Sequence, residues 1–288
     1  MPVRPSPTVR RRRLRDELRR LRDQHGLTIE QVQDRSGGDI KAPSISRWEN
    51  GERSVRPTDL RVLLDIYGVH GDRREALLTL ARQAKERGWW QSYAAAIPPW
   101  FQVYVGLEAE AALIREYAAE LVPGLLQTPA YYRAFLEAAP AAGSEEEIAR
   151  KIEVRTARQD RLTGQDPAEY WAVLNEAVIR RAAGGGQVMR AQLGHIAELA
   201  GLAHVNVQVL PFSAGAHPAM DGGFSIVGFP EAADPDVVYL ENQAGSLYLE
   251  QAAEIDRYAR MFSHLIAKAL DPEESRRLIV QLAADLAG

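Results

Sequence analysis

The chain has 288 residues, 46% of them hydrophobic and 26% charged, with no cysteine and a net charge of −4. This length supports one or two domains whose cores need no covalent staples, and the lack of cysteine excludes disulfides, thiol nucleophiles and thiolate zinc sites. No apolar run approaches the roughly 18 residues of a membrane span, and the charged N-terminus has no apolar segment behind it, so a cytoplasmic protein is expected.

The net charge conceals an asymmetry. Residues 1–90 carry 20 Lys/Arg and 13 Asp/Glu, a balance of +7, whereas the remainder carries 15 and 26, a balance of −11. A basic head on an acidic body points to a polyanion-binding module joined to a part with another task.

Residues 1–8, with three prolines, read as an irregular arm. Residues 9–24 place Leu14, Leu18 and Leu21 at helical spacing and form a first helix. Gly26 stops it. Thr28 with Gln31 makes a capping box that opens a second helix ending at Ser36. A third helix covers 42–49 and is closed by Gly51. Thr58 is expected to cap a fourth, whose stripe is Leu60, Leu63, Leu64 and Tyr67, and Asp72 a fifth that runs to Lys85. Helix, tight restart, second helix, short turn and third helix is helix-turn-helix order.

In that arrangement the third helix enters the major groove of double-stranded DNA. Ile45 and Trp48 form its buried face over Val32 and Ile40, which leaves Lys41, Ala42, Pro43, Ser44 and Arg47 for the groove and Asn50 at its far end. Arg47 is the principal reader, because a guanidinium contacts guanine in bidentate fashion, worth about 1–3 kcal/mol of discrimination. Ala42 and Pro43 offer apolar surface only, so direct readout is modest and DNA shape and phosphates contribute heavily. Arg10, Arg11, Arg12 and Arg13 lead into the first helix and are expected to follow a phosphate track or enter a minor groove as an arm. Thr28 and the amides at the start of the second helix form the expected phosphate clamp. One short helix reads too few base pairs, so a homodimer on half-sites about 34 Å apart is expected.

Trp89, Trp90, Tyr93, Pro98, Pro99, Trp100 and Phe101 cluster aromatics with prolines and read as a packed joint over 88–106, between a DNA-binding domain at 1–87 and a second domain at 107–288. Beyond it, 107–117, 129–138 and 144–162 read as helices, the last opened by the capping box of Ser144 and Glu147. Short β-branched or aromatic runs at 170–174, 205–210, 224–229, 237–241 and 246–249 read as five strands. A helix at 188–199 between the first two makes a βαβ unit with a right-handed crossover. Residues 242–245 form a hairpin turn, and helices at 252–269 and 272–284 close the domain, the last started by Asp271 and Pro272. The expected fold is therefore mainly α plus α/β: a five-helix bundle followed by a mixed α/β domain.

Glu176, His217, Asp221 and Glu241 lie at or near strand ends and loops, where catalytic or metal-binding groups tend to sit. Their spacing matches no catalytic motif, and Gly184-Gly185-Gly186 lacks the Lys-Ser/Thr of a phosphate loop. The reading is a non-enzymatic domain with no cofactor and no metal, in which His217 fixes a loop and Glu241 begins a hairpin turn. The second domain either encloses an apolar pocket for a small-molecule effector or exposes a groove for a partner protein.

Leu27-Thr28, Ile45-Ser46-Arg47-Trp48-Glu49-Asn50-Gly51 and Leu63-Leu64-Asp65-Ile66-Tyr67-Gly68-Val69 resemble the repressor-type, Xre-like helix-turn-helix regulators abundant in actinobacteria. The rest resembles the domain of unknown function that follows such modules in antitoxin-like regulators. The matching segments are Gly106-Leu107-Glu108-Ala109-Glu110-Ala111, Leu121-Val122-Pro123-Gly124-Leu125-Leu126-Gln127-Thr128, Gln208-Val209-Leu210-Pro211-Phe212, Gly215-Ala216-His217 and Val238-Tyr239-Leu240-Glu241, of which the Pro-Gly-Leu-Leu-Gln-Thr string is the most specific. The resemblance implies a transcriptional regulator, often paired with a small protein encoded nearby, and favours the partner protein over the small effector. The chain departs from that pattern twice. Ile29 replaces a polar glutamine that commonly opens the second helix and touches DNA, and Gly38-Asp39 looks like a two-residue lengthening of the turn before the third helix.

Overall fold

A computed structural model of the chain describes residues 7–85, 88–139, 143–231 and 234–286. It divides into an N-terminal unit extending to Gln91 and a C-terminal unit beginning at Ser92. Most of the proline-rich arm, residues 1–6, lies outside the described residues.

The N-terminal unit is a bundle of α1 (Pro7–Gln24), α2 (Ile29–Arg35), α3 (Ala42–Glu49), α4 (Pro57–Ile66) and α5 (Gly71–Gln83). Its core gathers Leu14, Leu18 and Leu21 of α1 with Val32, Ile40, Ile45, Trp48, Leu60, Leu63, Leu64 and Tyr67. Gly26 and Gly51 both take left-handed backbone angles, φ +61° and +76°, which glycine adopts without steric penalty. Two expected caps move. Arg56 and His70, not Thr58 and Asp72, occupy the N-cap positions of α4 and α5. In α4 the cause is Pro57, whose missing N–H and preset φ suit the first helical turn and draw the start forward.

Among its described residues the C-terminal unit holds six strands, not five: β1 (Leu113–Ala118), β2 (Glu169–Asn175), β3 (Val205–Leu210), β4 (Phe224–Gly228), β5 (Val237–Asn242) and β6 (Gly245–Leu249). They form one sheet in the order β3-β2-β1-β4-β5-β6. β1 pairs parallel with β2, and β2 with β3, while β4, β5 and β6 continue antiparallel. The helices are α6 (Pro99–Glu108), α7 (Pro129–Glu137), α8 (Glu145–Thr163), α9 (Glu176–Arg180), α10 (Gly186–Leu199), α11 (Ala252–Lys268) and α12 (Pro272–Asp285). As expected, α10 links the parallel strands β2 and β3, and Asn242 pairs with Gly245 at the β5–β6 turn.

The helix expected over 107–117 is the principal correction. Its first residues end α6, and its last five belong to β1 at the middle of the sheet. Leu107, Ala111, Ile114 and Tyr117 recur every three or four residues and mimic a helix, yet Ile114 and Tyr117 point to opposite faces of a strand flanked on both sides. Ladder pairing to β2 and β4 decides the outcome over local periodicity.

One sheet face packs Tyr117, Val173, Phe224, Ile226 and Val238 against Phe262 and Leu265 of α11. The other carries a buried charged layer. Arg158 of α8 donates from Nε and Nη2 to the two carboxylate oxygens of Glu108, both at 2.7 Å, with side-chain exposures of 4% and 2%. Beside it Glu116 of β1 accepts from the Tyr170 hydroxyl at 2.8 Å. Burial, reinforced by the Glu108 carboxylate, pushes the Glu116 carboxyl up to about 7 against the opposing Tyr170 bond. The Pro-Gly-Leu-Leu-Gln-Thr string is where α8 and α10 attach. Gln159 of α8 donates to the Gln127 carbonyl, and Gln192 of α10 donates to the Leu126 carbonyl while accepting from the Thr128 amide. At Gly124 any Cβ would collide with the Arg155 guanidinium.

Candidate nucleic-acid interface

The helix-turn-helix proper is α2, a turn over 36–41 and α3. Ile45, Trp48 and Glu49 are buried and Lys41, Pro43, Arg47 and Asn50 are exposed, with Ala42 and Ser44 half-buried. This is the amphipathic split that the sequence predicts, because Ile45 and Trp48 lie three apart and share one helical face. Among the described residues the Arg47 side chain makes one hydrogen bond, from Nε to the Pro43 carbonyl at 3.0 Å, which lays it along the outer face of α3. Asn50 donates to the Ser46 hydroxyl at 3.4 Å and ends the helix.

Glu49 is a component that the sequence reading overlooked. It lies four residues after Ile45, on the buried face, and a carboxylate there needs a cation. Arg22 of α1 supplies it, donating from Nε and Nη2 to the two Glu49 oxygens at 2.8 and 2.9 Å and from Nη1 to the Leu27 carbonyl at 2.8 Å. The Glu49 hydrogen bonds raise the Arg22 pKa above its ordinary value despite partial desolvation. This fork ties the recognition helix to α1. Next to it Tyr67 stacks on His25, and its buried hydroxyl has no hydrogen-bond partner among the described residues.

The arginine run is not an arm. Because α1 begins at Pro7, Arg10, Arg11, Arg12 and Arg13 are helical, and Arg10 and Arg12 are only 4% and 7% exposed. Arg10 donates to the Gln83 carbonyl at 3.2 Å and Arg11 to the Ala84 carbonyl at 2.9 Å, so both serve the C-terminal end of α5, where unpaired carbonyls and the helix dipole favour cations. Thr28 also has another task. Its hydroxyl accepts the Gln31 amide, and the Gln31 side chain accepts the Thr28 amide, completing the capping box. The Glu30 carboxylate, held below its ordinary pKa first by its own backbone amide, sits at the same helix start. A phosphate at this helix start would therefore share it with the capping box and the Glu30 carboxylate. Ile29, at the position of the missing glutamine, packs against the core. Exposed Arg53, whose amide bonds the Arg47 carbonyl, and exposed Arg35 at the end of α2 flank α3 and were not singled out from sequence. Each directly follows an acidic residue, Glu52 and Asp34 respectively, so neither stood out as part of a basic cluster.

The four polar residues weighed as a C-terminal site serve separate local structures. Glu176 accepts from the Phe212 amide at 2.7 Å and from Arg180; burial raises its pKa, but these partners outweigh it and hold the carboxyl below its ordinary value. His217 Nε2 lies 3.3 Å from the Tyr117 hydroxyl and Nδ1 accepts the Ala219 amide, with burial and Lys268 holding its pKa down. Glu241 accepts from the Tyr239 hydroxyl at 2.9 Å, and Asp221 is exposed. Among the described residues no three His, Asp or Glu side chains form a group able to hold a metal ion, and no helix is long and apolar enough to cross a membrane.

A short amphipathic helix with an outward arginine, braced from behind by two partner helices, defines the N-terminal unit as a helix-turn-helix domain and the chain as a DNA-binding regulator. Comparison agrees: residues 13–77 match the model of a helix-turn-helix domain. Residues 101–281 match the domain of unknown function DUF5753, and the chain belongs to that family. No curated protein and no solved structure matches the chain.

Proposed function

We propose that the protein is a sequence-specific, Xre-like transcriptional regulator that reads double-stranded DNA through α3 as a homodimer, while its C-terminal unit binds a regulatory partner protein in the manner of antitoxin-like regulators and catalyses no reaction. The carrying observation is that Arg47 is exposed on the face of α3 opposite the Ile45–Trp48 anchor, with Lys41 exposed at the N-cap of the same helix. The +7 balance of residues 1–90 supports it through the general attraction to phosphate.

For the C-terminal unit, three large apolar side chains support a protein partner. Leu121 follows the end of β1, Phe212 follows the end of β3 and Met220 precedes β4, which runs antiparallel to β1, so all three lie in segments that leave the same end of the sheet, with exposures of 40%, 60% and 69%. Apolar groups exposed together mark protein-binding surfaces.

Selection from a pool of random-sequence duplexes tests the DNA reading. The wild-type chain is expected to enrich a two-fold-related motif, and Arg47→Ala to lose preference at one base pair per half-site by about 5- to 150-fold, the equivalent of about 1–3 kcal/mol. No enriched motif, or one that Arg47→Ala leaves unchanged, refutes that role. Native mass spectrometry of the chain purified from its own cells tests the second part: a stoichiometric small protein lost on Phe212→Ser/Met220→Ser supports it, and a bound metabolite in its place refutes it.

A further inference from the structure

We infer that Gln33, with Ser36 as its second leg, is a positioning residue that sets the pose of α3 and hence the base pair that Arg47 reads; this deepens the DNA-binding reading above and rests on it. The Gln33 carboxamide oxygen accepts the Ala42 amide of α3 at 2.8 Å. The Ser36 hydroxyl donates to the Gln33 carbonyl at 2.7 Å and accepts the Ile40 amide at 3.1 Å. Two side chains at the end of α2 thus hold the two sides of the entry to α3.

The clamp matters because it is the directional hold on the N-terminal end of α3, as the Arg22–Glu49 fork is on the C-terminal end. The N-terminal amides of a helix lack partners within it. Here the N-cap residue Lys41 makes no side-chain cap and Pro43 has no amide, so Ala42 depends on Gln33. The covalent link is permissive: Gly37 and Gly38 both take left-handed angles, φ +66° and +82°, that other residues rarely adopt. The contacts of Val32, Ile40, Ile45 and Trp48 below α3 are apolar and do not resist small rotations as a hydrogen bond does. Arg47 lies five residues beyond Ala42, about 7.5 Å along the axis. With the Glu49 end held by Arg22, a tilt of roughly 10° about that end moves Ala42, about 10.5 Å along the axis, by about 1.8 Å and turns the Arg47 side chain with it, enough to spoil a bidentate contact with N–H···O distances near 2.9 Å.

Full-length Gln33→Met, which keeps the size of the side chain and removes the acceptor, is compared with Gln33→Glu, which keeps the acceptor, in the same duplex selection. Gln33→Met is expected to lose about tenfold or more of the preference at the base pair identified by Arg47→Ala, with Tm and affinity for unselected duplex little changed. Gln33→Glu is expected to restore that preference, at a lower overall affinity because of its added negative charge. A part played only in stability would lower Tm and both affinities together, which overturns the inference, as does a Gln33→Met selection identical to wild type. Ser36→Ala is read by the same criteria should Gln33→Met not fold. If wild-type protein selects no motif at all, the DNA reading itself fails, an outcome separate from an unaltered Gln33→Met.

Discussion

Replacing Glu49 by alanine tests how the recognition helix is braced. The Arg22 and Glu49 side chains are 15% and 6% exposed. Removing one member of such a pair leaves the other charged and largely buried, which costs about 3–5 kcal/mol. Arg22 keeps the Leu27 carbonyl at 2.8 Å, Asp23 at 2.9 Å and some access to water, which puts the expected loss near 3 kcal/mol, at the lower end of that range. For a bundle of this size, roughly 4–8 °C of Tm accompanies each kcal/mol. The N-terminal transition should therefore fall by roughly 12–24 °C in calorimetry of the full chain. The double replacement Arg22→Met/Glu49→Leu removes both charges and should recover to within about 1 kcal/mol of wild type. A single-variant loss below about 1 kcal/mol, the range of exposed pairs, refutes the reasoning. So does a double variant as unstable as the single one.

Three further outcomes follow from the same geometry. Because burial raises the folded-state pKa of Glu116 from 4.5 to about 7, its stabilising contribution is complete below pH 4.5 and declines as the pH rises through 7. Glu116→Gln should match wild type near pH 4.5 and exceed it above pH 7 by up to about 3 kcal/mol in chemical denaturation, and a pH-independent difference refutes this. Gly124→Ala meets the guanidinium end of half-buried Arg155, which can swing aside, so it should cost less than about 1 kcal/mol; a larger loss by thermal melt shows that Arg155 is held in place. Tyr67→Phe removes a buried hydroxyl that has no partner among the described residues, so stability should stay level or rise by about 1 kcal/mol, whereas a loss above about 1 kcal/mol by thermal melt reveals a partner.

The order of the N-terminal bundle was readable because its signals are local. Gly26, the Thr28–Gln31 box and the Ile45–Trp48 spacing each act within one or two turns, and α3 falls on the predicted 42–49. Strands β2 to β6 were also evident, since β-branched runs between turn residues need no knowledge of the partner strand. What only the tertiary structure decided depends on residues distant in sequence. A helix-like spacing at Ile114 and Tyr117 gives way to the ladders of β2 and β4, and the sheet gains its central strand. The arginines at 10 and 11, cationic enough to attract DNA, are held by carbonyls 73 residues away at the end of α5. Glu49 finds Arg22 at a separation of 27 residues. Local pattern determines which segments coil or extend, because those preferences act over a few bonds. Whether a charge faces solvent or braces a helix depends on which carbonyl or carboxylate the folded chain brings within 3 Å, and no short window contains that information.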